Sequence, residues 1–386
     1  MRKINEKTER LINAYIDGVL KNSTPDRPAW NAERLRDGKP PAWNYIDGVF
    51  ITGLLCLYGQ TGRRELLDFA DAFTDYYIAG DGSILGYDPR EYNLDNIGFG
   101  SALFDLFRLS GREKYRKAID LLYAQIEAQP RAATGSFWHK KIYPDQVWLD
   151  GLYMGQVFYT RFETEYNGCA NYGDILLQFE NARRYMFDER KKLYYHACDF
   201  SKKAFWADPE TGLSKGFWLR ATGWYVTALA DIIGYADPRE GAFTARLSAL
   251  LAEAVGGILA CIDPKTKMFF QAPDQGGRDG NYLETSGSAM VAYAVMKAAR
   301  LGVIPVGYAD AGADIFNGIC GRRLAERDGR PRLSGICLSA GLGPENNRRR
   351  DGTFEYYVSE PVVEDDAKGA GPFLMAYAEM KKAEYG

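Results

Sequence analysis

Residues 150–162 read DGLYMGQVFYTRF. A charged residue comes first, then a glycine, then a run that is apolar on nearly every side. A helix apolar all round is buried, whereas one with a charged face lies outside. The same form returns as DGVFITGLLCLYGQTG from Asp47, DNIGFGSALFDLFRLSG from Asp95 and RATGWYVTALADIIGY from Arg220. It appears again as ETSGSAMVAYAVMKAARLG from Glu284 and KGAGPFLMAYAEMKKA from Lys368. In chain order the six starts lie 48, 55, 70, 64 and 84 residues apart. Ordinary amphipathic helices separate them, such as REKYRKAIDLLYAQIEAQ (112–129) and FTARLSALLAEAVGGILACI (243–262). Buried and surface helices alternating six times predict an all-α (α/α)6 six-hairpin barrel, a toroid spanning residues 1–386 as one catalytic domain. Alternating runs are few and short, FEYYVS (354–359) being an example.

Composition narrows the function. Lys plus Arg is 48 against 51 for Asp plus Glu, a net charge of -3. That lacks the basic excess of a nucleic-acid protein. No uninterrupted apolar run reaches the roughly 18 residues of a membrane span. The N-terminus carries a helical stripe (Leu11, Ile12, Tyr15, Ile16, Val19, Leu20) rather than a signal peptide, so a cytoplasmic protein is expected. Six cysteines at long intervals and two histidines offer neither a disulfide framework nor a metal-ligand set, so free thiols and no metal or cofactor are expected. Walker A and GxGxxG patterns are missing, which argues against nucleotide and dinucleotide chemistry.

The polar heads of the buried helices would meet at one mouth. An Asp at such a start can equally be a cap for the helix N–H groups. Asp95 in EYNLDNIGFG and Asp150 in YPDQVWLDGLYMG stand out, because two carboxylates in one pocket equip a protein for glycosidic chemistry. Val147, Trp148 and Leu149 give Asp150 an apolar setting. His139 lies beside Trp138 and Lys140, and His196 beside Tyr195. FWLRATGW sets Trp218 and Trp224 around Arg220, a fork for a carboxylate between flat faces for a sugar. Trp43, Tyr45 and Asp47 in AWNYIDG make a second aromatic–acid cluster. The Arg348–Arg350 run reads as a solvated loop.

The chain resembles the unsaturated glycuronyl hydrolases. In particular it resembles the unsaturated rhamnogalacturonyl hydrolases of glycoside hydrolase family 105, which are related to the unsaturated glucuronyl hydrolases of family 88. The likeness is carried by WNYIDGVFITGL, LDNIGF, WHK…YPDQVWLDGLYMG, LYYHACD, WADPETGLSKGFWLRATGWY, GGRDGNYLETSGSAM and YYVSEPVVEDDAKGAGPF. It implies the six-hairpin barrel independently of the repeat. It also implies an oligosaccharide substrate with a 4,5-unsaturated uronic acid at its non-reducing end, left by a polysaccharide lyase. By position Asp150 would be the acid/base and Asp95 its partner. His139, Lys140, Trp148, His196, Trp218, Arg220 and Trp224 fall where the family binds the unsaturated sugar. Two alternatives stand beside this reading: an inverting glycosidase on saturated sugars, and a non-catalytic sugar-binding barrel.

Overall fold

The computed structural model describes residues 3–385. Its longer helices alternate between two layers. The inner layer is α2 (Tyr45–Thr61), α4 (Gly100–Ser110), α6 (Leu149–Tyr166), α8 (Leu219–Tyr235), α10 (Thr285–Arg300) and α12 (Ala367–Tyr385). The outer layer is α1 (Glu6–Lys21), α3 (Arg64–Asp75), α5 (Glu113–Ala128), α7 (Tyr172–Met186), α9 (Gly241–Leu259) and α11 (Tyr308–Arg323). Burial follows the apolar pattern. Inner helix α8 is buried from Leu219 to Ile232, whereas α3 buries only the stripe Leu66, Leu67, Ala70, Phe73 and Thr74.

Each inner helix packs on the next, and α12 returns to α2, so the ring closes as an (α/α)6 barrel. The first helix is the outer partner of the last: Tyr15 meets Phe373 edge-on. The C-terminal turns of the inner helices surround a cavity of about 330 Å³. Its charges are paired, Arg161 with Asp105 (2.7 Å), Lys297 with Asp231 (2.6 Å) and Arg300 with Glu379 (2.8 Å). The six polar starts therefore share the opposite rim.

One sequence expectation is corrected. FEYYVS is not extended but a short helix, Phe354–Ser359, begun by the Thr353 hydroxyl, which accepts from the Tyr356 N–H. Helix α9 is by length and mean hydropathy apolar enough to cross a membrane, a property that counting uninterrupted apolar runs misses. Here it lies in the outer layer and buries Leu247, Leu250, Leu251, Ala254, Val255 and Ile258.

Two short ribbons finish the mouth. Strand β1 (Gln146–Trp148) pairs antiparallel with β2 (Ala197–Asp199), setting Trp148 against Ala197. Strand β3 (Ile336–Cys337) pairs with β4 (Val362–Val363).

Candidate active site

None of the three aspartates that head inner helices is the N-cap. Asn44 caps α2 by accepting from the Asp47 N–H, and Asn93 accepts from the Asp95 N–H. Helix α6 leaves β1 directly, with no side-chain cap, so Asp150 stands in its first turn with its carboxylate uncommitted. Its Oδ2 is buried without a hydrogen-bond partner among the described residues. A buried polar atom left this way is costly, and such atoms concentrate where a ligand completes the set.

The β1–β2 ribbon brings His196 to Asp150. His196 is fully buried, and its Nε2 lies 3.3 Å from Asp150 Oδ2, off the line of a good hydrogen bond. Its Nδ1 lies 2.9 Å from the Tyr357 hydroxyl. Burial pushes the Tyr357 phenol well above its ordinary range, so Tyr357 keeps its proton. A Tyr357 hydroxyl that donates to His196 Nδ1 sets the tautomer of the ring. Neutral His196 then carries its hydrogen on Nε2, aimed at the Asp150 side.

Asp95 has different company. Lys140 Nζ lies 2.5 Å from Oδ2 and His139 Nε2 lies 3.5 Å from Oδ1. Burial raises the Asp95 carboxyl, but the Lys140 charge and hydrogen bond, joined at acid pH by protonated His139, outweigh it and hold the group below the usual carboxylate range. Burial drops His139 to about 4, so at neutral pH it is uncharged. Its ring needs the glycine after Asp150: a Cβ on Gly151 would come within 3.0 Å of His139 Nδ1.

Aromatic rings build the walls. Trp148 stacks on His139 (4.6 Å) and meets His196 edge-on (5.4 Å). Trp218 lies 4.8 Å from His196. Trp224 meets Tyr45 edge-on at 6.4 Å. Burial raises the Tyr45 phenol, and it feels the charges of Glu33, Asp95, Arg220 and Asp150, which puts it among them.

Other expected site residues serve the scaffold. Asp47 is fully buried. It accepts from Trp30 Nε1 (2.9 Å) and Asn31 Nδ2 (3.1 Å) on Oδ1, and from Asn44 Nδ2 (2.8 Å) on Oδ2. Trp43 stacks on Phe99 (4.0 Å) and donates to the Asn96 carbonyl (2.7 Å). Both face the packing between helices rather than the acid pair. The fork of Arg220 is not open to a ligand either. The residue is 1% exposed, and its terminal amines donate to the carbonyls of Cys337 (2.5 Å) and Leu338 (3.5 Å) and to Ser286 Oγ (3.3 Å). Glu284 caps α10 through the N–H groups of Ser286 and Gly287.

Three residues were overlooked as site members. Tyr357 was hidden inside the run taken as extended. Glu33 comes from a segment ahead of the first inner helix, where Lys368 Nζ binds it at 2.8 Å. Arg350, read as solvated, is half-buried and donates Nε to the Tyr356 hydroxyl at 3.1 Å.

A six-hairpin barrel with two carboxylates at one rim, one held ionised and one with an unpartnered oxygen, among packed aromatic rings suits glycosidic chemistry. Residues 20–384 match the Glycosyl Hydrolase Family 88 description, and the chain belongs to that family, an enzyme of the unsaturated glycoside hydrolase group. A family 105 glycoside hydrolase of C. acetobutylicum ATCC 824 superposes with a TM-score of 0.88 at 38% identity, covering 98% of this chain and 100% of that one. Protein Atu3128 of Agrobacterium fabrum is 42% identical over 53% of this chain and 89% of its own length. The unsaturated rhamnogalacturonyl hydrolase YesR of Bacillus subtilis is 25% identical over 67% of this chain and 72% of its own.

Proposed function

We propose that the enzyme releases a 4,5-unsaturated uronic acid from lyase-generated oligosaccharides, unsaturated rhamnogalacturonan disaccharides among them, in the cytoplasm. The observation that carries this reading is the asymmetry of the two aspartates. Asp95 is clamped by Lys140, while Asp150 has a buried, unpartnered Oδ2 beside His196. One group is kept as an anion and the other is free to hold and move a proton. The likeness to YesR supports the rhamnogalacturonan class.

In this reading Asp150 protonates C4 of the C4=C5 bond, and the electrons of the double bond form the new C–H bond. Positive charge develops at C5 and is shared with the ring oxygen. Asp95, still negative, favours the cation as it forms. Water then adds to C5 and gives its proton to the Asp150 carboxylate, which restores the acid. The resulting hemiketal opens to a C5 ketone, and the neighbouring sugar leaves from C1. No covalent sugar–enzyme bond is needed. The test is loss of the ultraviolet absorbance of unsaturated disaccharides made by rhamnogalacturonan, pectin and glycosaminoglycan lyases. Decay with the rhamnogalacturonan product is expected. Inertness on all three, with hydrolysis of a saturated glycoside, would favour the inverting alternative.

A further inference from the structure

The mouth holds four cations, and three of them are already spent. Lys140 is paired with Asp95, fully buried Lys368 with Glu33 and Asp366, and Arg220 with carbonyls and Ser286. Arg350 differs. Its Nε donates to the Tyr356 hydroxyl, and that same hydroxyl accepts from the Gly341 N–H at 2.9 Å. The guanidinium is thus tethered while its two terminal amines have no carboxylate or carbonyl partner among the described residues.

Its position is built. A Cβ on Gly341 would fall 2.6 Å from Arg350 Nη2 and 3.3 Å from Trp148 Cζ3, which places the guanidinium beside the indole edge. Trp148 is the ring that packs against His139 and His196, so Arg350 stands on the wall of the catalytic pocket. Lys140 lies close enough to feel its charge. A tethered guanidinium at the indole edge, its terminal amines without a carboxylate partner among the described residues, favours an incoming anion. A planar fork with both amines free suits a carboxylate in two-point contact.

We propose that Arg350 forms an anion site on the Trp148 wall that takes a carboxylate of the sugar chain. The inference rests on the uronate reading above and names a specificity residue for it. The carboxylate could be that of the unsaturated ring or one carried by the adjoining sugar.

The experiment compares the parent with Arg350→Gln and Arg350→Lys on three unsaturated disaccharides: one with a neutral second sugar, its methyl ester, and one with an acidic second sugar. Arg350→Gln should raise KM by about 10- to 100-fold for substrates bearing the recognised carboxylate, with kcat nearly unchanged. Arg350→Lys should fall between the two, because it keeps the charge and loses the fork. If the ring carboxylate is the ligand, the parent discriminates against the methyl ester and Arg350→Gln does not. If the second sugar carries it, only the acidic disaccharide loses affinity. Equal KM in parent and both variants on all three overturns the site.

Calorimetry with galacturonate and its methyl ester needs no turnover. The parent should prefer the free acid, and Arg350→Gln should lose that preference. Should Arg350→Gln fail to fold, Arg350→Lys is read in the same two assays, and parental values there overturn the proposal. Failure of the parent to turn over any unsaturated disaccharide would instead remove the hydration reading, and calorimetry would still decide Arg350.

Discussion

Tyr357→Phe deletes one hydroxyl 2.9 Å from His196 Nδ1 and leaves the ring packing in place. His196 is 0% exposed and Tyr357 1%, so water cannot replace the lost donor without a rearrangement. An acceptor stranded in this way costs about 1–3 kcal/mol of stability. The larger consequence is for the tautomer. The Tyr357 hydroxyl now requires the His196 hydrogen to sit on Nε2, next to Asp150 Oδ2. Without it the other tautomer becomes accessible, turning a lone pair rather than an N–H toward Asp150. A change of about 1.4–2.8 kcal/mol in that preference is 10- to 100-fold in population. We expect kcat to fall by that order with KM little changed. The chain has two histidines, so nitrogen-15 labelling of histidine gives two imidazole spin systems, assigned with a His139→Gln variant. In the parent, His196 should show an unprotonated Nδ1 and a protonated Nε2, and in Tyr357→Phe that ordering should weaken. A parent with neutral His196 protonated on Nδ1, or a variant with parental kcat, would refute the reasoning.

Lys140→Met should move the acidic limb of the pH–rate profile upward. Burial then acts on Asp95 with less opposing charge, its pKa rises, and activity needing the anion is lost at higher pH; an unmoved limb contradicts this. Burial of His139 depresses its folded pKa to about 4, below the unfolded value of about 6.5. The unfolded chain therefore binds the proton first as pH falls. Stability should drop by roughly 1.4 kcal/mol per pH unit across that window, about 3 kcal/mol in all. Urea unfolding of His139→Gln should lack this component, and an unchanged slope would be the contrary result. Arg220→Lys should lower stability by about 3 kcal/mol, since it drops charged bonds joining α8 to Cys337 and Leu338. A variant that melts with the parent but binds anionic sugar poorly would return Arg220 to the substrate.

The ring was legible because the inner helices are apolar nearly all round, outer helix α9 being the exception that is comparably apolar. Asp95 and Asp150 were legible because a charged residue ahead of a buried helix needs a reason. What the reason is depends on partners far along the chain. Asp47 and Asp150 begin similar stretches, DGVFITG and DGLYMGQ. Trp30 and Asn31 arrive from an earlier segment to consume Asp47, while nothing arrives to consume Asp150 Oδ2. Arg220 lies over the Trp218 ring at 4.7 Å, but its fork is taken by carbonyls at and beside β3, more than a hundred residues later. Tyr357 escaped notice because a helix of six residues, Phe354–Ser359, is too short for a helical period to outweigh apparent alternation.

The central claim is that Asp150 delivers a proton to C4. Turnover of an unsaturated disaccharide in heavy water, with the product read by NMR, tests it directly. The account predicts one deuterium at C4 with the parent. With Asp150→Asn it predicts a rate lower by about 10²–10⁴-fold, near the upper end because protonation begins the reaction. The variant should still bind substrate. Product without deuterium at C4, or an Asp150→Asn enzyme that turns over at the parental rate, would contradict it.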